Sequence, residues 1–549
     1  MAILKSSSNK FLITLIIGLG LLFVFYNIKL TTSGYLQFSD GAKFADIARN
    51  KVSGVGYGAS FSFFNPKALI NLKDDLFSAD WVSPLMPYSI VVFFSILGAS
   101  DFSVILTSFV YYLLLVVFVF LLGKRLYGDL VGLLSSLAIV TNLSFLDYAS
   151  SGASEILLAF EVVLAAFLFT LQKKWATVLG FLVLILMNYS RPLSFIFIVG
   201  LIFYWLILNF DLKKSIKVIF YSVLIILTFD IVIFSSIQGK SFFYPLYIRG
   251  LQAANYYATG ESTSILLRGG VIGPLGITGV AKKVFYHLYN FYKVLPQIAS
   301  PYMWGLFVIG LFHWTKNKEE NALKLATILM VLVTFLVTAL TIPFFRYLHP
   351  VIPLVYLFAT ATLVWIVKTM INGQWLMIKK YTPRYINKEK LLILVSSFLI
   401  LLFVVGQTLG VIFLDSRFEA STVNRGKPPV YVQLSYILRD NTEPDEVIVT
   451  NLDTWGSWYG ERKTIWFPLE PDQLIDIKDD IDAIYLTSYL IDDENYYMGE
   501  TWRKIFLNPK DHAIEFIREN YEFAGEFEVS PEETYENKPA RSILLVRKQ

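Results

Sequence analysis

The sequence predicts a polytopic α-helical membrane protein of about 11 transmembrane helices, followed by a C-terminal extracytoplasmic α/β domain. Three observations carry that expectation. The 549 residues are 55% hydrophobic with a mean hydropathy of +0.56, far too apolar for a soluble chain of this size. Apolar runs recur at the length a bilayer helix needs. The charges of the loops between them alternate, and acidic residues collect in the last quarter.

The runs are Phe11 to Ile28, Phe102 to Leu122, Leu130 to Leu146, Ile156 to Leu171, Thr177 to Met187, Pro192 to Phe210, Ile216 to Phe234, Tyr302 to Phe312, Leu325 to Ile342, Tyr347 to Met370 and Leu391 to Phe413. The runs at Thr177 and Tyr302 are short. The first reads as an anchor, because its apolar core outlasts a signal h-region and no small-x-small cleavage site follows. Lys5 and Lys10 precede it and place the N-terminus in the cytoplasm. Alternating the spans from there puts Lys124-Arg125, Lys173-Lys174, Lys213-Lys214 with Lys217, Lys316 with Lys318, and Lys379-Lys380 with Arg384, Lys388 and Lys390 on the cytoplasmic side. The short outward loops carry only Arg191 or Arg346. This positive-inside pattern requires both short runs, since dropping either would invert it downstream.

Residues 1–413 thus form a membrane module with long outward loops near 31–101 and 235–301, and residues 414–549 an outward soluble domain. The soluble part holds 27 of the 43 acidic and 15 of the 47 basic residues, a net charge of −12 against +16 for the membrane part. That split predicts separate modules. The basic residues sit in membrane loops rather than on one soluble face, which argues against a nucleic-acid partner. In the tail, Glu446 to Thr450, Asp482 to Leu486 and Arg541 to Val546 read as strands. Pro509 to Asn520 reads as a helix with proline near its first turn. The chain has no cysteine and four histidines, so thiolate metal sites are excluded and no Ser-His-Asp elbow is found.

Carboxylates carry the candidate chemistry. Asp40, in Ser39-Asp40-Gly41, leaves the first span; Asp147 leaves the third; Glu155 opens the fourth. If these spans pack together, three carboxylates line one outer cavity, suited to general-base work or to a divalent ion held by oxygen. Taken singly, Asp40 is also a good helix-end residue and Glu155 a good first-turn charge. Glu161 and Asp230 lie inside spans, where a charge faces a cavity or a partner. Arg191, Arg268 and Arg346 stand at the same level and could fork onto a phosphate or snorkel to headgroups. His349 reads as a local hydrogen-bonding residue.

The order of these pieces resembles the GT-C class of polytopic glycosyltransferases, of the protein O-mannosyltransferase and aminoarabinose-transferase type. The resemblance rests on Ser39 to Ala48 after one span, Gly54-Val55-Gly56-Tyr57-Gly58, Ser83-Pro84-Leu85-Met86-Pro87-Tyr88 running into Leu97 to Asp101, Gly123 to Gly128, and Ser154-Glu155. It covers roughly the first 210 residues and Arg346 to Pro353. It implies a GT-C-like fold and an inverting transfer of a sugar from a polyprenyl-phosphate donor (dolichyl- or undecaprenyl-type) to a glycan, lipid or protein acceptor on the outer face. Asp40 would be the base, Asp147 or Glu155 the acid that orients acceptor or metal, and Arg191, Arg268 or Arg346 the phosphate ligand. The resemblance fixes no cofactor and leaves room for a divalent metal ion, which would take Asp40, Asp147 and Glu155.

Two departures stand out. Protein O-mannosyltransferases usually show Asp-Glu where this chain has Asp40-Gly41, which weakens the case for a protein acceptor. Trp455-Gly456-Ser457-Trp458-Tyr459-Gly460 faintly echoes the Trp-Trp-Asp-Tyr-Gly motif of oligosaccharyltransferases, without its Asp, and reads as a loop of the tail. An oligosaccharyltransferase-like enzyme and a multi-pass transporter are the alternatives. Against a transporter, the halves do not repeat and no pair of broken central spans is seen.

Overall fold

The computed structural model describes residues 34–64, 82–211, 273–342, 344–372, 388–400, 424–489 and 498–548, apart from isolated positions, with short pieces at 16–24, 72–73, 76–79, 213–218, Leu69 and Arg268. Asp230, most of the run at Ile216 and the second half of the run at Leu391 lie outside the described residues. Helices dominate the first part: α1 Ser39–Val52, α2 Leu85–Leu97, α3 Asp101–Tyr127, α4 Asp129–Val140, α5 Leu143–Ala149, α6 Ser154–Thr170, α7 Lys174–Met187 and α8 Ser194–Asn209. After these come α9 Gly276–Lys293, α10 Pro301–Leu311, α11 Lys318–Leu340, a 3₁₀ turn at Phe345–Val351, α12 Ile352–Ile371 and α13 Lys388–Ile400.

Among the described residues, Asp101–Tyr127, Lys318–Leu340 and Phe345–Ile371 are long and apolar enough to cross a membrane alone. The run from Leu130 to Leu146 is not one straight span: α4 and α5 meet at 67°. Asn142 causes the break, because its side chain accepts the Phe145 N–H at 3.2 Å and starts a new helix. Its amide also donates to the Tyr356 hydroxyl at 3.0 Å. A further apolar helix, α2, rises from the first long loop. α3 packs against α4 and α6, α8 against α11, and α10 against α12, around one continuous apolar core.

The tail contains α14 Val430–Asp440, β4 Val447–Thr450, α15 Trp455–Trp458, β5 Lys463–Trp466, β6 Ala483–Thr487, α16 Glu500–Leu507, α17 Glu515–Asn520, β7 Tyr521–Val529 and β8 Ala540–Arg547. All three expected strands are present, and β5 and β7 join them. The expected helix from Pro509 starts only at Glu515, because residues 508–511 form a turn. The Trp455 to Gly460 stretch is not a loop but the short helix α15 and its end.

Two short pieces of the first long loop, β1 Gly58–Ala59 and β3 Phe77–Ser78, pair antiparallel. A third, β2 Phe61–Ser62, runs parallel to β5 and becomes the edge of the tail sheet, whose order is β2-β5-β4-β6-β8-β7. Phe61, Phe64 and Phe77 are buried in the tail's core beside Ile465, Phe467 and Trp502. Despite opposite net charges, the membrane part and the tail share a sheet.

Among the described residues, the second long loop reaches the same core at Arg268. Arg268 is 1% exposed. It donates from Nε to the Phe467 carbonyl at 3.1 Å and from Nη2 to those of Pro468 at 2.8 Å and Met498 at 3.4 Å. Its guanidinium stacks on the Phe467 ring at 3.8 Å, and its own carbonyl accepts the Leu469 N–H. Removing that side chain strands several buried acceptors. Arg268→Ala is expected to lower stability by about 3 kcal/mol, read as an earlier melt in detergent.

Candidate active site

The site forms where α1 begins. Phe38 is extended (φ −108, ψ 138) and Ser39 starts the helix, so Asp40 lies in the first turn, where unpaired N–H groups favour a carboxylate. Lys43 follows one turn later and pairs with Asp40 Oδ1. Between them Gly41 is pressed against the turn joining α5 to α6. A Cβ there would stand 2.0 Å from the Ser151 carbonyl oxygen. Gly152, at φ +75, backs against it, its own Cβ position 3.3 Å from Gly41 Cα. No side chain fits between these backbones, which accounts for glycine where the resemblance leads one to expect glutamate.

That close approach delivers the start of α6 to Asp40. Glu155 is 1% exposed. Arg191, from the turn between α7 and α8, places Nη1 2.6 Å from Glu155 Oε2 and donates to Ser154 Oγ at 3.1 Å. Arg346, from the 3₁₀ turn before α12, places Nη1 2.8 Å from Asp40 Oδ2 and Nε 3.6 Å from Glu155 Oε1. The Tyr347 ring lies 5.3 Å from the Arg191 guanidinium and 5.8 Å from that of Arg346. Neither Glu155 oxygen meets a well-directed hydrogen bond among the described residues; charge and proximity hold it. The cluster contains three cations (Lys43, Arg191, Arg346) and two carboxylates (Asp40, Glu155).

Burial pushes the Asp40 carboxyl up, but Lys43, Arg346 and Arg191 outweigh it and hold the group well below the usual carboxylate range. Beside the cluster, the Tyr148 hydroxyl and His349 Nδ1 share a hydrogen bond of 2.5 Å, as the local reading of His349 expects. Asp147 is half-buried on α5 next to Tyr148. Glu161 lies one and a half turns past Glu155 and accepts from Ser190 Oγ at 2.6 Å, bracing the turn that carries Arg191.

Of the expected site residues, Asp40, Glu155, Arg191 and Arg346 meet in one group. Arg268 does not join them; the tail's carbonyls hold it. Lys43 was missed, although its position three residues after Asp40 on a helix was legible. A divalent ion does not fit the residues as placed. Asp40 and Glu155 face cations, and among the described residues no three acidic or histidine side chains converge at ligand spacing.

The tail fixes this site. Leu36, two residues before the α1 turn, donates its N–H to the Tyr459 hydroxyl at 2.9 Å and accepts from the Tyr431 hydroxyl at 2.6 Å. The Ser39 carbonyl accepts from Thr454 Oγ1 at 2.7 Å. Arg49, on α1, donates to the carbonyls of Ser457 at 2.7 Å and Trp458 at 3.0 Å. Asp101, at the start of α3, accepts from Trp458 Nε1 at 2.7 Å and from the Tyr459 hydroxyl at 2.9 Å.

Residues 82–235, under a third of the chain, match the family described as dolichyl-phosphate-mannose-protein mannosyltransferase. No curated protein sequence matches the chain. Among solved structures, the chain is similar to ArnT from Cupriavidus metallidurans bound to undecaprenyl phosphate, at 11% identity over 97% of both chains with a TM-score of 0.50. It is also similar to the Archaeoglobus fulgidus oligosaccharyltransferase. The apo form matches at 13% identity over 97% of this chain and 75% of that one, TM-score 0.52. The complex with Zn and sulfate matches at 14% identity over 94% and 72%, TM-score 0.51. The matched segment resembles that mannosyltransferase family, and the structural likeness shows that the chain shares the fold of these proteins.

Two outcomes follow from this geometry. Gly41→Ala forces the start of α1 off Ser151 and is expected to cut any transfer activity about 100-fold, as displacements near 1 Å at a reacting group do. Asp40 has a lowered folded pKa, so its stabilisation is present above the unfolded value of about 4 and is lost as pH falls through the folded value. The wild-type and Asp40→Asn melting temperatures should therefore differ at pH 7 and converge under strong acid.

Proposed function

We propose that this protein transfers a sugar from a polyprenyl-phosphate carrier to an acceptor hydroxyl on the extracytoplasmic face, with inversion and with Asp40 as base. The observation that carries the reading is the charge group of Asp40, Glu155, Lys43, Arg191 and Arg346 at the membrane end of a domain-braced helix. Its three cations exceed its two carboxylates by one positive charge, which matches the single negative charge of a sugar phosphodiester. The family description of residues 82–235 names a dolichyl-phosphate sugar, and the similar ArnT structure holds undecaprenyl phosphate. Both support a lipid monophosphate donor.

In the free protein the cations hold Asp40 ionised but weakly basic. Arrival of the donor phosphate gives Arg346 and Lys43 a second anion to bind, and Asp40 loses part of their field. Its basicity rises as the acceptor reaches it, so the base is most active in the complete complex. The acceptor oxygen bonds the anomeric carbon as the carbon–phosphate-oxygen bond breaks. The hydroxyl proton passes to Asp40, and the electron pair leaves on the polyprenyl phosphate. Arg346 and Arg191 stabilise the charge that develops there. Glu155 spaces the two arginines so that both forks face the phosphate. No step runs through a metal ion.

The test is transfer of sugar from undecaprenyl- and dolichyl-phosphate donors in membranes containing the protein. Asp40→Asn should lower kcat by about 10²–10⁴ with donor KM little changed, and Arg346→Ala should raise donor KM and lower kcat together. Full activity in Asp40→Asn would overturn the base assignment. Solute flux with no transfer in the wild type would favour a transporter.

A further inference from the structure

Helix α9 is amphipathic in the inverted sense. Its side packed on the protein carries Lys283, His287 and Phe291, four residues apart, all buried. Its open side carries Phe285, Tyr286, Tyr289 and Tyr292, exposed by 75%, 58%, 57% and 70%. A helix turned toward water shows the reverse order. Here four aromatic rings face outward while a lysine and a histidine face in. Such a stripe of aromatics is a large apolar surface, too large to leave unexplained on a soluble face.

The fold says what covers it. α9 packs on α11, and the Phe291 and Phe335 rings meet edge to face at 5.9 Å, near the end of α11 that leads to Arg346. α9 is thus at the site's side of the membrane. Next to it, α11 exposes Leu332 and Leu336 by 64% and 51%, and these belong to a span. The aromatic stripe continues this apolar surface at its edge. Lys282 and Lys293, both outward on α9, flank the stripe. Rings with a polar tip between lysines suit the boundary of acyl chains and phosphate headgroups, where Tyr is enriched.

We propose that α9 is an interfacial anchor. Phe285, Tyr286, Tyr289 and Tyr292 lie in the headgroup–acyl boundary of the leaflet next to the site, and Lys282 and Lys293 meet the phosphates of bulk lipids. The anchor sets the depth of α9 beside the end of α11 that leads to Arg346. The inference stands apart from the assigned chemistry and holds whatever the protein transfers.

The absence of cysteine makes the test direct, since one introduced thiol takes one spin label. Tyr289→Cys and Tyr292→Cys are labelled in the full-length protein in nanodiscs of phosphatidylethanolamine and phosphatidylglycerol without any polyprenyl lipid. Leu336→Cys serves as the acyl-chain reference and Asp440→Cys, on the tail, as the aqueous one. At both α9 positions, collision with oxygen relative to a water-soluble nickel chelate should be several-fold higher than at Asp440, approaching Leu336. Labels at both positions that behave like Asp440 would overturn the proposal. So would labels shielded from oxygen and nickel alike, which would mean that protein covers the face. A third result, membrane-like collisions only after undecaprenyl phosphate is added, would also overturn it, since the lipid would then be the carrier rather than bulk lipid. Tyr289 and Tyr292 are surface residues, and unchanged gel-filtration and circular-dichroism profiles show that the labelled variants are folded.

Discussion

The stretch from Leu36 to Asp40 is held at both ends, and the rest of the site depends on that grip. On one side, Tyr431, Tyr459 and Thr454 of the tail bond its backbone. On the other, Gly41 lies flat against Ser151. A carboxylate in a loop between a membrane span and a soluble region would otherwise sample many positions. Here the backbone leading into it is fixed at Leu36 and Ser39 by hydrogen bonds to groups 395 to 423 residues away, and its side chain by Lys43 and Arg346. Such over-determination is what a reacting group needs if it is to meet two substrates arriving from different phases.

Electrostatics acts within that frame. Two buried or half-buried carboxylates next to the lipid would be costly if unpaired. Lys43, Arg191 and Arg346 neutralise them and leave one positive charge over. The arginines are held by the carboxylates rather than left to snorkel to lipid headgroups. Glu161, buried among apolar residues and bonded to Ser190, reinforces the turn that presents Arg191. The same logic explains why Arg268 stands outside the group. A guanidinium also satisfies buried carbonyls well, and three of them at the tail's core claim it.

Much of this was legible because charges are scarce in an apolar chain. Asp40, Glu155, Arg191 and Arg346 stood out against their surroundings, and their common side followed from loop charge. Local signals also gave the tail strands at 446–450, 482–486 and 541–546. The sequence hid whatever depends on distant partners. Arg268 looks like any loop arginine until Phe467, Pro468 and Met498 are folded around it. β2 is two residues long and carries no strand pattern of its own; only β5 makes it a strand. Asn142 was a visible capping residue inside an apolar run, yet apolarity dominated the reading, and the break was read as a continuous span. Trp455 to Gly460 read as a loop because its rings find their partners at Arg49, Phe94, Asp101, Tyr431 and Tyr489, none of them adjacent in the chain.

The sheet order has a consequence for how the chain is made. Phe61 and Ser62 pair with Thr464 and Ile465 in the sheet, so the first loop can complete its structure only after the ribosome has added some four hundred more residues. At about 5–20 residues per second that interval is roughly 20–80 s. Throughout it, α1 lacks the backbone partners that Tyr431, Thr454 and Tyr459 supply, and Asp40 has no fixed place. The protein therefore matures from its last segment back to its first, and a chain released before the tail is made carries the charged residues of the site without the site.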